Sequence, residues 1–341
     1  GIDIGLRVLI GQRQACVSAS DTGARTITTM AQRAVAMARE APKDATIGLA
    51  EPGQLATSWN AAALELADAS DEPDAATLQN DARRAEAAAL AVKGISQVQA
   101  ASAGYSRRAI HLATSNGFSG GYARTDRATS CVAITGEGSG MERDYCVESR
   151  LFQCDLPAPE EIGRIAAERT VARAGARKPR TGAYPVLFDE RIAASLIGHL
   201  LSAINGTAIA RGASWARDLL HQQVLPANLS ITEDPLRARA SGSRPFDGEG
   251  LATARRTIVG DGVLKGWVLD LTTARKLGLQ STANAARGTS APPAPSVGNI
   301  QLTPGSVSRD DLIRDMGCGL LVTSLIGSSI NPTTGDYSRG A

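Results

Sequence analysis

The sequence predicts an α+β fold of two domains, in which antiparallel sheets pack against Ala-rich helices. Three observations carry that prediction. The 341 residues are enough for about two hydrophobic cores of ordinary size. Helical and strand-like text are segregated along the chain, with an Ala-rich helical stretch followed by an uninterrupted run of strands and turns. The turns within that run are short, and short connections make successive strands antiparallel.

The elements follow in order. Gly5 to Ser18 alternates as a β-hairpin, with Leu6, Val8 and Ile10 on one arm, Gly11-Gln12 at the turn, and Ala15 and Val17 on the other arm. Ser20-Asp21 precede a helix over roughly Ile27 to Arg39, which stops before Pro42. Leu55 to Leu66 has helical apolar spacing, and Ser70 to Asp74 is an acidic turn. A long Ala-rich helix runs from about Ala75 to Val92, closed by Lys93-Gly94. From Gln97 to Asp155 four strands are expected: Val98 to Tyr105, Ala109 to Thr114, Gly121 to Ile134 and Met141 to Cys154. Asn116-Gly117 and the Gly136 to Gly140 cluster supply turns between them. A helix from Pro159 to Ala174 carries Glu160-Glu161 in its first turn. The hairpin, turn and helix order of Gly5 to Arg39 recurs at Gly121 to Ala174, which suggests two related units. Lys178 to Gly182 reads as a linker, so the expected domains are residues 1–180 and 181–341.

The second domain opens on a strand, Tyr184 to Phe188, running into an apolar helix with Asp189 as N-cap and ending at Asn205-Gly206. A short amphipathic helix is expected at Trp215 to Gln223 and a strand at Leu229 to Thr232. A hairpin of Arg255 to Val259 and Val263 to Leu269 turns across Gly260-Asp261-Gly262, and a short helix follows at Thr272 to Leu277. Ser281 to Gly298 is a Ser/Ala/Pro-rich loop too long for a passive connector. Ser308 and Asp311 form a capping box for a helix to Met316, Leu320 to Ile326 is strand-like, and Gly327 to Ala341 is turn sequence.

Composition excludes several classes of function. The net charge of +2 gives no global field for nucleic acid or an anionic membrane. No apolar run approaches the roughly 20 residues that a bilayer needs. Cys16, Cys131, Cys146, Cys154 and Cys318 make no CxxC pair and are odd in number, which fits reduced thiols in a cytosolic protein better than a disulfide scaffold or zinc knuckle. The chain begins at Gly1 without a Met and shows no signal peptide, so a missing N-terminus is expected.

Catalytic signatures are thin. His199 sits inside the apolar helix, but Ala194, Ser195, Leu196, Ser202, Ala203 and Ile204 around it are not metal ligands. Gly117-Phe118-Ser119-Gly120-Gly121 matches the GxSxG pattern, yet it lies in a hairpin turn and not in the strand-to-helix elbow that exposes a nucleophile. No phosphate-binding loop, dinucleotide fingerprint or EF-hand loop is present. Two stretches are dense in charge held by turn residues: Ser243 to Gly250, with Arg244, Asp247 and Glu249, and Thr333 to Gly340, with Asp336, Tyr337 and Arg339. These six side chains are the candidates for lining a peptide or partner site; turns closed by Asp and Ser side chains would read the same way.

These stretches also carry a family resemblance. Ser243 to Gly250, Trp267 to Asp270, Ala274 to Gly278, Ser281 to Gly288 and Thr334 to Ala341, together with Ala113 to Tyr122 and Gly138 to Tyr145, resemble the PmbA/TldE branch of the TldD/PmbA family, formerly called modulators of DNA gyrase. The resemblance covers essentially the whole chain. It implies a cytoplasmic bacterial protein of α+β fold. It also implies a partner, a TldD-like zinc peptidase with an HExxxH helix, and an unfolded or extended peptide as substrate. Alignment on Gly206 and Arg211 to Ser214 places the first His of that helix at Ile197, the Glu at Gly198 and the second His at Ser202. No metal ligand and no catalytic base is therefore carried over, and zinc is expected only in the partner. The expectation is a non-catalytic subunit of a heterodimeric metallopeptidase, a pseudoenzyme acting in proteolysis. The alternative is a stand-alone, homodimeric peptide- or protein-binding regulator without hydrolysis. Family members continue beyond Ser-Arg-Gly-Ala and carry an earlier helix and strand, so the sequence is expected to be part of a longer protein.

Overall fold

The computed structural model describes residues 1–340, with the backbone alone described for Ser328, Ser329 and Arg339. Strands β1 (Ile4–Ile10) and β2 (Arg13–Ala19) form the expected hairpin, with Gly11 at φ +56° in the turn. Helix α1 (Ala24–Glu40) packs on it and starts three residues earlier than expected. Asp21 organises that start by accepting from the Gly23 N–H at 2.9 Å and from the Thr26 hydroxyl.

The helix expected at Leu55 to Leu66 does not form. The chain runs extended there between two single 3₁₀ turns, because its apolar residues serve different cores. Leu55 and Ala56 bridge to Leu251 and Gly250, Trp59 stacks on Phe118 and Phe246, and Leu64 and Leu66 bury against Leu151. One helix face cannot point in three directions.

Helix α2 (Ala75–Leu90) is capped by Asp74, which accepts from the Thr77 N–H at 2.7 Å. Three strands, not four, follow: β3 (Ile95–Ala113), β4 (Ser119–Thr135) and β5 (Glu142–Arg150), in the antiparallel order β3-β4-β5. The polar stretch Ser106 to Arg108 reads as a break but is paired with β4 residue by residue, its side chains simply facing solvent. Helix α3 (Pro159–Val171) and α2 cover one face of this meander. Their core is built of small residues: Ala85, Ala89, Cys131, Ala133, Cys146, Ala166 and Ala167 around Ile162.

Strand β6 (Val186–Phe188) leads into α4 (Glu190–Ala203), with Asp189 as the N-cap, and α5 (Gly206–Ala210) follows. Trp215 to Gln223 forms turns in place of the expected helix. The Trp215 N–H bonds the Pro332 carbonyl, and His221, at φ +63°, bonds the Leu264 carbonyl; a helix would place neither donor there. Strands β7 (Ile231–Glu233), β8 (Arg256–Gly260) and β9 (Val263–Leu264) come next, then α6 (Leu271–Leu277). The Ser/Ala/Pro-rich loop contains a two-residue ladder of β10 (Ala285–Ala286) and β11 (Ala294–Pro295), and β12 (Ile300–Leu302) joins β7 to complete the sheet order β12-β7-β8-β9. Helix α7 (Arg309–Met316) is capped by Ser308. Strand β13 (Leu320–Val322) pairs in parallel with β6. The turn sequence after Gly327 is in fact the end of a hairpin, β14 (Ile326–Ile330) and β15 (Tyr337–Gly340), with Ala341 outside the described residues.

Candidate functional site

Helix α4 is held at its start by charge. Asp189 accepts from the backbone N–H of Arg191 at 3.2 Å and from its Nε at 2.8 Å, while Arg191 Nη1 reaches Asp144 of β5 at 2.8 Å. Burial pushes the Asp189 carboxyl up, but its bonds to Arg191 outweigh this and leave it below the usual range. At the other end Gly206 gives its N–H to the Val268 carbonyl, and a Cβ at Gly206 would lie 2.7 Å from the Leu269 side chain. Both ends of α4 are therefore fixed, one on the meander and one on the C-terminal core.

The middle of α4 faces the β14–β15 hairpin. The His199 ring meets Tyr337 edge-on with centroids 5.3 Å apart, and Gly335 in the hairpin loop lies against the Trp215 ring. Ile197 packs on the C-terminal core, a Cβ on Gly198 would meet nothing within 4 Å, and Ser202 is exposed. This donor set does not fit zinc. Isoleucine and glycine bring no ligand atom, and zinc sites are built from Cys, His and carboxylates. Among the described residues no three His, Cys, Asp or Glu side chains are grouped to hold a metal ion.

The turn from Ser243 to Gly250 lies elsewhere, at the junction of the two halves. Phe246 enters an aromatic cluster with Trp59, Phe118 and Tyr122 at centroid distances of 4.9 to 5.6 Å. Gly250, at φ +84°, leaves room for the Phe118 ring, which a Cβ would approach to 2.8 Å. Asp247 accepts from the N–H groups of Glu249, Leu251 and Ala285 at 2.9 to 3.1 Å and so closes the turn. Burial raises its carboxyl above the usual range against those three bonds. Glu249 is only 7% exposed; Oε2 accepts from the Leu271 N–H at 2.9 Å and Oε1 has no partner. Burial, reinforced by Asp247 and Asp270, pushes its carboxyl up to about 8 against the pull of that bond and of Arg7. Arg244 gives Nη2 to the Ser296 carbonyl at 2.9 Å.

The six candidate side chains thus divide between two places. Arg244, Asp247 and Glu249 are turned into the junction, and Asp336 and Tyr337 lie in the hairpin beside α4. Asp336 is exposed and accepts from the Thr334 hydroxyl at 2.6 Å, and the side chain of Arg339 lies outside the described residues.

Two groupings escaped sequence reasoning. Glu233, the last residue of β7, is buried, and Asn284, Arg256 and the Gly298 N–H converge on its two oxygens at 2.5 to 3.1 Å. His111 Nε2 lies 3.1 Å from Ser119 Oγ across the β3–β4 ladder, both residues exposed. The first had no local signal, since Asn284, Arg256 and Gly298 lie 51, 23 and 65 residues from Glu233. The second was within reach, because antiparallel pairing brings Ser119 opposite Ala113 and its diagonal neighbour His111.

Comparison with known proteins gives consistent matches. Residues 68–174 match the family model of the PmbA/TldA metallopeptidase central domain, and residues 181–341 match that of the C-terminal domain. The metalloprotease PmbA of Escherichia coli O157:H7 is 34% identical over 338 residues, covering 99% of this chain and 73% of that protein. A PmbA homologue of Haemophilus influenzae is 35% identical over 342 residues, with the same shares of 99% and 73%. A crystal structure described as a candidate modulator of DNA gyrase, from Bacteroides thetaiotaomicron, superposes with a TM-score of 0.90 at 28% identity, covering 98% of this chain and 74% of the other. TldE from Thermococcus kodakarensis shares the fold with a TM-score of 0.80 at 21% identity, covering 96% and 74%.

Proposed function

The chain belongs to the PmbA/TldD metallopeptidase family, in its PmbA/TldE branch, and from that premise we propose that it is the non-catalytic, TldE-like subunit of a two-chain peptidase. One observation carries the reading. Where the family's zinc helix is expected to carry its ligands and base, α4 has Ile197, Gly198 and an exposed Ser202, with open space at Gly198. A water cannot be activated by those side chains through a metal they cannot bind. Chemistry on a peptide would then fall to a zinc-bearing TldD-like partner, and this subunit would help shape the cavity that holds an extended chain. Capture along strand edges suits such a substrate, because main-chain hydrogen bonds carry affinity without demanding one sequence. Two structural features supply rigidity for that role: the Asp144–Arg191–Asp189 anchor and the aromatic cluster around Phe246. No helix among the described residues is long and apolar enough to cross a membrane.

The test is co-expression of the tagged chain with a TldD-like zinc peptidase of the same genome. Co-purification, with zinc and proteolysis that depend on the partner's HExxxH helix, is the expected result. Stoichiometric zinc and robust proteolysis by this chain alone would overturn it. Consistent failure to capture a zinc subunit would instead favour a stand-alone binding regulator.

A further inference from the structure

One loop of the C-terminal half crosses the seam to the N-terminal half. Asn299 staples its base: Nδ2 reaches the Asp234 carbonyl at 2.9 Å and Ser243 Oγ at 2.7 Å, and Oδ1 accepts from the Gly242 N–H at 2.9 Å. The Arg244 N–H bonds the Pro235 carbonyl and closes the loop. Residues 236–239 are exposed. From among them Arg239 reaches across. Its N–H bonds the Leu64 carbonyl at 2.9 Å, Nε gives to Glu65 Oε2 at 2.7 Å and Nη1 gives to Asp155 Oδ2 at 3.2 Å. Its guanidinium lies 4.1 Å from the centroid of the Phe152 ring. Arg124 of β4 adds a bond to the Ser241 carbonyl. Both partners of the central ion pair have left-handed backbones, with φ +53° at Arg239 and +45° at Glu65. Glu65 closes the 3₁₀ turn Ala62–Leu64 in the conformation that glycine or asparagine usually supplies at a helix end.

We propose that residues 235–243 are a releasable strap, fastened to the N-terminal half by Arg239 and opening as a unit while the rest of the chain stays folded. A left-handed backbone crowds Cβ against the carbonyl that follows, so it persists only where the surroundings hold it. Here what holds it is a pair of ion pairs whose side chains are 37 to 46% exposed. Salt and water reach such pairs and weaken them. The strain at residues 65 and 239 therefore pulls against a fastening that solvent can loosen, while the Asn299 staple keeps the base of the loop in place. Such an element opens at lower free energy than the core beneath it. Glu65 and the strap lie beside the Leu64, Leu66 and Leu151 cluster, on which Tyr122 and Phe152 pack. Release bares that edge of the seam and removes one attachment between the halves. The strap involves no metal and no second subunit, so it stands apart from the function proposed above.

The test is native-state hydrogen exchange of the full chain, read by mass spectrometry in low urea. Residues 62–66 and 235–243 are expected to exchange together, faster than α4 and β8 and with little dependence on urea. About 0.5 M sodium chloride should speed both roughly fivefold by screening the ion pairs. Three variants separate fastening from strain. Arg239→Lys keeps the charge but loses the flat fork and its stacking on Phe152. Arg239→Gly removes the fastening and relieves the backbone, whereas Arg239→Ala removes the fastening and keeps the strain. Opening should therefore increase in the order wild type, R239K, R239G, R239A. Exchange of the two segments only through global unfolding, independent exchange of one from the other, or indifference to salt would overturn the strap. Equal opening in R239G and R239A would overturn the part that strain plays in its release.

Discussion

Beneath the β3–β5 meander the buried side chains are mostly alanine and cysteine, whereas behind α4 they are Ile204, Ile231, Ile258, Leu264, Trp267 and Val268. The first core brings backbones close together. At Gly163 of α3 a Cβ would fall on the carbonyl of Ala85 in α2. The second core keeps backbones apart and fills the gap with branched and aromatic side chains. Dispersion and burial scale with side-chain volume, so the C-terminal core has more to lose from truncation. The meander core has more to lose from any added atom.

Crossed substitutions test that contrast. Ile204→Ala removes a fully buried side chain from the larger core and should cost about 2–5 kcal/mol in urea unfolding. Gly163→Ala adds one methyl to the thin core and should cost about 1–3 kcal/mol, despite the better helix propensity of alanine. If Gly163→Ala is neutral, the two helices can separate and the close-packing account of the meander is wrong.

This contrast also explains which parts of the fold were legible in the sequence. Helix α2 declared itself through its Ala-rich text and the closing Lys93-Gly94, α3 through Pro159 and Glu160-Glu161 in its first turn, and the anchored α4 through Asp189 and its apolar spacing. The segments that misled are those whose apolar residues serve several cores. Leu55 to Leu66 has helical spacing, but its residues go to Leu251, Phe246 and Leu151. Trp215 to Gln223 is pulled into turns by carbonyls at Pro332 and Leu264. At the candidate site the turn chemistry of Asp247 was legible, because glycines one and three residues after an Asp mark a closed loop. The depth of Glu249 was not, since it depends on Arg7, Asp270 and Leu271 arriving from distant parts of the chain.

Glu249 marks the seam between the two regions and sharpens the comparison by pH. Its folded carboxyl is raised above its unfolded value, so the neutral form is the one the fold favours. The associated stability is fully present below the unfolded value near 4.5 and is lost as pH rises through about 8. Asp247 and Asp270 repel the anion and Arg7 attracts it, yet burial dominates. Glu249→Gln keeps the acceptor for the Leu271 N–H and cannot ionise. The difference in urea midpoint between variant and wild type should therefore grow in the variant's favour from pH 5 to pH 8.5. A constant difference across that window would place the titration outside it.

The smallest effect separates the two regions most cleanly, because it repeats one substitution at a second helical glycine. Gly198 lies mid-helix in α4 with nothing within 4 Å of an added Cβ, whereas Gly163 lies mid-helix in α3 against a carbonyl. Glycine inside a helix costs about 0.5–1 kcal/mol relative to alanine through backbone entropy. Gly198→Ala should therefore stabilise the chain by about that amount, the sign opposite to Gly163→Ala. The same variant reports on assembly. If a zinc subunit covers α4 at that point, the added methyl will weaken its capture while raising the thermal midpoint of the free chain. A higher midpoint with undiminished capture would put the partner's contact on another face.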